Sequence, residues 1–197
     1  MIRIRNISNK SAQPAVHDKN NHVRVYTGDV ATSTRPVVMH TLLGSCVAVC
    51  LYDPIFSAGG MNHILLPGTH LNDRSTRFGV YAMELLINEL MKQGGDRHKF
   101  VAKAFGGANV MKGLTMATVG DDNAEFVLEF LAAERIPLVA QRLGGDQAVH
   151  VYFRTDSGKA IVHSVDGSRL PRIVHAEASY WRSHLDDAKL SGAITLF

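Results

Sequence analysis

Apolar and polar residues change their spacing several times along this chain, and the changes predict both strands and helices. From Val23 through Val25 to Val30, apolar residues alternate with polar ones, the period-two signature of short half-buried strands. Residues 36–43 (PVVMHTLL) and 46–52 (CVAVCLY) are apolar, β-forming runs separated by Gly44-Ser45, and Asp53-Pro54 starts a turn. A third run, 60–66 (GMNHILL), stops at Pro67-Gly68. Over 78–93 the period lengthens: Phe78, Tyr81, Ala82, Leu85 and Leu86 share one face of a helix that Gly94-Gly95 should end. Residues 99–105 alternate as a strand and run into Gly106-Gly107. A second helix is expected over 121–134, capped by Asp121 or Asp122, and a strand over 137–143 before Gly144-Gly145. Residues 150–154 and 159–165 read as a hairpin around Asp156-Ser157-Gly158, and 176–188 as a short helix.

Many strands and two main helices, without regular strand–helix alternation, argue against a doubly wound parallel sheet. They predict an α+β fold, an α/β sandwich with mixed or antiparallel sheets. Residues 1–21 are polar and are expected to form a flexible extension. Residues 22–166 form the predicted domain, and 167–197 a C-terminal extension packed on it or trailing from it.

Composition narrows the function. A chain of 197 residues is sized for one domain. The net charge of +3 modestly favours an acidic partner, but no Lys/Arg stripe interleaved with aromatics points to nucleic acid. The two cysteines, Cys46 and Cys50, would sit about 13 Å apart along one strand, well beyond the roughly 7 Å limit for a disulfide. Reduced thiols suit the cytosol. No apolar run of signal-peptide length opens the chain, and none reaches the 18 or so residues of a membrane span. A cytoplasmic protein without membrane insertion is expected.

The chemistry concentrates in Gly44-Ser45-Cys46 and in Gly60-Met-Asn-His63. If the runs around them form an antiparallel hairpin turning between Pro54 and Ile55, paired residues have numbers that sum to 109, and Cys46 lies directly across from His63. A shift of two in that sum would keep them on one face as diagonal neighbours; a shift of one would separate them. A thiol beside an imidazole can pass on its proton and attack a carbonyl carbon, and the imidazolium then protonates the departing nitrogen. Backbone N–H groups at Gly44, Ser45 or Cys46 could hold the oxyanion. The competing reading is core: a small buried Cys on an apolar strand is usually only packing, and Cys50 is read that way. A metal site built from Cys46, Cys50, His40 and His63 is disfavoured, because structural zinc sites use tighter ligand pairs on loops. No cofactor is expected. Gly106-Gly107 and Gly144-Gly145 are read first as turns needing positive φ; for Gly106 and Gly107 the alternative is a backbone wall for a substrate.

At these residues the chain resembles the CheD family of chemoreceptor glutamine deamidases. The resemblance lies in TLLGSCVAVCLYDP (41–54), GGMNHILLP (59–67), RFGVYAMELLINELMKQGG (77–95), AKAFGGANVM (102–111), VGDDN (119–123) and IPLVAQRLGG (136–145). It implies Cys46 as nucleophile and His63 as base in the hydrolysis of a receptor glutamine side chain to glutamate, through a thioester. It implies chemotaxis receptors as substrates and a CheC-type phosphatase as a further partner. The alternative is a non-catalytic adaptor binding receptor or CheC. One departure stands out. The family places a threonine six residues before the cysteine; here that position is His40, and Thr41 is five before. Thr41 on a shifted backbone, His40, or another group altogether would then orient His63. Asn62 should face away from it.

Overall fold

The computed structural model describes residues 2–6, 17–18, 21–66, 73–110, 119–165, 171, 175 and 178–180. Its strands are β1 (Ile2–Asn6), β2 (His17–Asp18), β3 (His22–Arg24), β4 (Asp29–Ser33), β5 (Val38–Leu43), β6 (Val47–Asp53), β7 (Ala58–Asn62), β8 (Val101–Gly106), β9 (Leu138–Leu143), β10 (Val149–Arg154) and β11 (Ala160–Ser164). Two main helices accompany them, α1 (Asp73–Met91) and α2 (Val119–Ala133). The strands form a six-stranded sheet ordered β1-β4-β7-β6-β8-β9 and a five-stranded sheet ordered β11-β10-β5-β3-β2. Both are mixed, with one parallel pair in each among the described residues, β8–β9 in the first and β3–β5 in the second.

Alternation decides the layers. In β5 the odd positions Met39, Thr41 and Leu43 are buried, while Val38, His40 and Leu42 are only half-buried, so this sheet has one covered face. Strand β6 is buried at almost every position because it is covered on both sides. Its odd residues, Val47, Val49 and Leu51, pack with Leu86, Ile87 and Phe130 of the helices. Its even residues, Ala48 and Cys50, join Cys46, Met39, Val151 and Phe153 between the sheets. The result is three layers (helices, large sheet, small sheet) with the large sheet separating two cores.

Several expectations change. Residues 2–6 belong not to a loose extension but to an edge strand, β1, antiparallel to β4. Ile2 packs on the inter-sheet core and Arg3 pairs with the buried Glu89 of α1 at 3.4 Å. The Ile-Arg-Ile-Arg alternation is consistent with a strand but is too short to stand out from the polar stretch around it. Residues 17–18 also pair, with β3. Asp121 and Asp122 lie in the first turn of α2 rather than capping it, since the helix begins at Val119; there they still face its positive end. Of the helix expected over 176–188, residues 178–180 are helical and the others lie outside the described residues, as does the run 193–197.

The β6–β7 hairpin has a longer turn than expected. Asp53 pairs with Ala58, leaving residues 54–57 as the loop, and the pairs Cys50–Met61 and Leu51–Gly60 follow. Paired numbers therefore sum to 111, not 109. Asp53 explains why: its Oδ1 accepts the N–H groups of Ile55 and Phe56, each at 2.9 Å, and its Oδ2 accepts that of Asp96 at 2.9 Å. A side chain that collects three backbone donors fixes the turn around itself.

Candidate active site

The register of β6 and β7 sets the first relation in the site. The ladder opens at Asn62, whose side-chain Oδ1 takes the Val49 N–H at 2.9 Å, and it closes again at a bridge between Val47 and Ile64. Continuing the count, His63 faces Ala48 and Cys46 faces Leu65. Cys46 and His63 are thus diagonal neighbours on one face rather than directly opposed. Diagonal Cβ atoms lie about 7 Å apart or somewhat less, which a thiol and an imidazole leaning together can span. Asn62 points the other way, into the helical layer, where its Nδ2 reaches the Ala82 carbonyl and the Met83 sulfur.

His63 is held on every side. Its N–H donates to the Asp29 carbonyl at 3.1 Å, its carbonyl accepts from Gly28 at 2.8 Å, and its neighbour Ile64 bonds twice to Val47. The ring reaches the small sheet. Thr41 Oγ1 lies 2.8 Å from Nδ1 and donates its single proton to the Val25 carbonyl at 2.7 Å. The hydroxyl must then accept from the ring, so Nδ1 carries the hydrogen and Nε2 carries the lone pair. Thr27 Oγ1 sits 3.2 Å from Nε2. Burial pushes the imidazole down to about 4; the Val25 carbonyl pulls it up, and the nearby Arg24 charge pushes it further down. At neutral pH His63 is an uncharged base.

Thr41 and His40 separate cleanly. Thr41 is on the covered face of β5 and meets His63. His40 is on the opposite face, its Nδ1 3.3 Å from His150 Nε2 and its ring stacked on Tyr152, so it cannot orient His63. Strand alternation forces the choice.

The turn that presents Cys46 is tied down through its carbonyls. The Gly44 carbonyl accepts from Ala108 at 2.8 Å, the Ser45 carbonyl from Asn123 Nδ2 at 3.0 Å, and the Cys46 carbonyl from Gly107 at 2.7 Å. Gly106 and Gly107 are buried against this turn and do not form an open wall. Gly106 has φ +107, and a Cβ there would stand 2.2 Å from the Cys46 carbonyl oxygen, so close backbone approach explains the glycine. At Gly144 and Gly145, both with positive φ, a side chain would meet open space, and only turn geometry is required.

Cys46 and Cys50 share a face but not an environment. Burial pushes the Cys50 thiol far above the ordinary range, with Lys103 opposing only in part, so it remains an inert thiol. Cys46 is also fully buried, on the face of the large sheet that bears His63. Among the described residues, no three His, Cys, Asp or Glu side chains converge as a metal-binding group.

Three residues in or around this site were not identified from the sequence. Thr27 sits in a tight turn without a pattern of its own. Asn123 lies in VGDDN, where the motif was visible but the role was not: it is fully buried, and its Oδ1 also accepts the Leu66 N–H at 2.8 Å. Tyr180 packs on the inter-sheet core from the short helix expected in the C-terminal extension, to which no site role was given.

A family model described as CheD chemotactic sensory transduction matches residues 65–164. A protein of Stenotrophomonas maltophilia (strain K279a) named "Probable chemoreceptor glutamine deamidase CheD" is 44% identical over 158 residues, 80% of this chain and 79% of the relative. "Probable chemoreceptor glutamine deamidase CheD 1" of Shewanella oneidensis is 39% identical over 186 residues, 92% of this chain and 90% of the relative. A solved structure, Bacillus licheniformis hypothetical protein YfiH, gives a TM-score of 0.38 at 14% identity, over 58% of this chain and 49% of that one. That last likeness is too slight to inform the site. The family model spans half the chain and the sequence relatives span most of it; the chain belongs to the CheD family.

Proposed function

We propose that the protein hydrolyses glutamine side chains of chemotaxis receptors to glutamate, with Cys46 as nucleophile and His63 as base. The observation that carries this is the state of the imidazole. Thr41 engages Nδ1–H, which leaves the Nε2 lone pair as the basic position on the face that also bears Cys46. The names of the relatives supply the substrate class.

The residues act in sequence. His63 Nε2 takes the Cys46 proton as sulfur attacks the amide carbon. Peptide N–H groups of the turn at Gly44, Ser45 and Cys46 hold the oxyanion, and removing one such donor costs about 3–4 kcal/mol of activation energy. The tetrahedral species collapses as His63 gives its proton to the departing nitrogen. Ammonia leaves and a thioester remains. Water then attacks the thioester, His63 accepts its proton, and the Cys46 thiol is regenerated as glutamate forms. Thr41 is a positioning residue in this scheme, since it acts through the imidazole.

An adaptor reading, in which the protein binds receptor or a CheC-type phosphatase without chemistry, draws on one observation: Cys46 has no exposed surface. Incubating the protein with a receptor cytoplasmic fragment and searching for the NH₂-to-OH mass gain at glutamine separates the two. Wild type should produce it, Cys46→Ala and His63→Ala should not, and Cys50→Ala should. Tight receptor binding without any mass gain by wild type would establish the adaptor.

A further inference from the structure

We infer that Tyr180 is a built-in cover over the Cys46–His63 site, closing the entrance that a substrate amide must use. This rests on the reading of Cys46 as the reactive thiol and explains how a fully buried thiol can serve one. The covering residue comes from beyond the last strand. Tyr180 lies on the turn at residues 26–29, the same turn whose Gly28 N–H holds the His63 carbonyl and whose Thr27 hydroxyl faces Nε2. The contact is intimate: a Cβ on Gly28 would stand 2.7 Å from the Tyr180 hydroxyl and 2.9 Å from its ring. With φ +82, Gly28 makes the turn and also leaves the space that the phenol fills. The Tyr180 ring packs on the inter-sheet core that contains Cys46 and meets Phe78 of α1, with centroids 6.5 Å apart. Burial is the main influence that holds the phenol in its neutral form, and Cys46 and Asp29 act in the same direction.

Two further facts make this a cover rather than ordinary core. Tyr180 is itself only half-buried, so it reaches from the core that contains Cys46 to solvent. The residues beneath it are those with chemistry to offer. On this proposal a glutamine side chain enters where the phenol stands, and binding displaces the ring. Receptor and cover then compete for the same place, and substrate engagement opens the enzyme.

The test uses the full chain and a small thiol reagent. Wild type, Tyr180→Phe and Tyr180→Ala are treated with iodoacetamide under native conditions, and alkylation is followed separately at Cys46 and Cys50 by peptide mass spectrometry. A closed form whose open state holds between 0.1 and 10% of the population implies that removing the ring speeds Cys46 alkylation by about tenfold or more. Tyr180→Phe keeps the ring and should match wild type within about twofold. Cys50 is the internal control, because general loosening of the domain would expose it too. Selective acceleration at Cys46 supports the cover. Equal rates at Cys46 in all three proteins, or parallel acceleration at both cysteines, overturns it. Since alkylation needs no receptor, failure here is distinguishable from failure of the deamidase reading, which the glutamine mass assay tests independently.

Discussion

Burial of a neutral histidine makes stability depend on pH in a way that isolates one residue. In the unfolded chain His63 titrates near an ordinary 6.5, and in the folded protein near 4. Between those values the unfolded state binds a proton that the native state refuses, so stability rises with pH across this window. The contribution is fully present above pH 6.5 and is lost as pH falls toward 4. Moving from pH 7 to pH 5 should cost about 2 kcal/mol at this residue, rising to about 3 kcal/mol below pH 4. Since His63 is only 4% exposed, solvent screening takes little from that figure. Urea unfolding of wild type and His63→Gln at pH 7 and pH 5 measures it. Other groups lose stability over the same range, but they are common to both proteins and cancel in the difference. The wild-type curve should fall about 2 kcal/mol further than the variant's. Parallel curves would mean that the imidazole is already charged or solvated in the native state. The reasoning that makes it a neutral base would then fail.

Other outcomes follow from the same contacts. Thr41→Val removes the acceptor for His63 Nδ1–H and should lower kcat about a hundredfold with little change in KM, and Thr41→Ser should restore most of the rate. Asn123→Ala leaves the Ser45 carbonyl and the Leu66 N–H without their partner; urea unfolding should show a loss of about 1–3 kcal/mol, and deamidation should slow because the nucleophile turn is loosened. Asp53→Ala strands two backbone donors in the β6–β7 turn and the N–H of Asp96, and should lower stability by about 2–3 kcal/mol while sparing the rate per folded molecule, measured by unfolding and activity on the same sample. Gly106→Ala places a methyl group against the Cys46 carbonyl at a positive φ and should depress Tm more than Gly144→Ala, whose side chain meets open space.

Much of the fold could be read from spacing, because most of its strands are covered on one face or bounded by Gly, Pro and Asp turns. Helix α1 was recognisable from its period, and the β10–β11 hairpin from its Asp-Ser-Gly turn. What the spacing could not supply was contact at a distance. The register of β6 and β7 depended on how many residues Asp53 would gather into its turn, which only the three donors together decide. Strand β1 was hidden because five residues are too few to stand out inside a polar stretch. At the site, Cys46 and His63 were visible as residue types and as motifs. The choice between Thr41 and His40 required knowing which face of β5 meets the large sheet. Asn123 and Tyr180 come from a helix start and from beyond the last strand, and nothing local to either announces a bond to Ser45 or a contact with Gly28.

The turn bearing Cys46 takes its shape from Gly107, Ala108 and Asn123, all of which follow it in the chain by a wide margin. During synthesis the thiol therefore emerges from the ribosome long before the groups that aim it. Until β8 is added and the start of α2 docks, the groups that hold the carbonyls of Gly44, Ser45 and Cys46 are missing, and the turn that carries the thiol lacks its shape. Under the proposed mechanism, the nucleophile turn is completed only by the later part of the chain, so glutamine hydrolysis would await the end of folding.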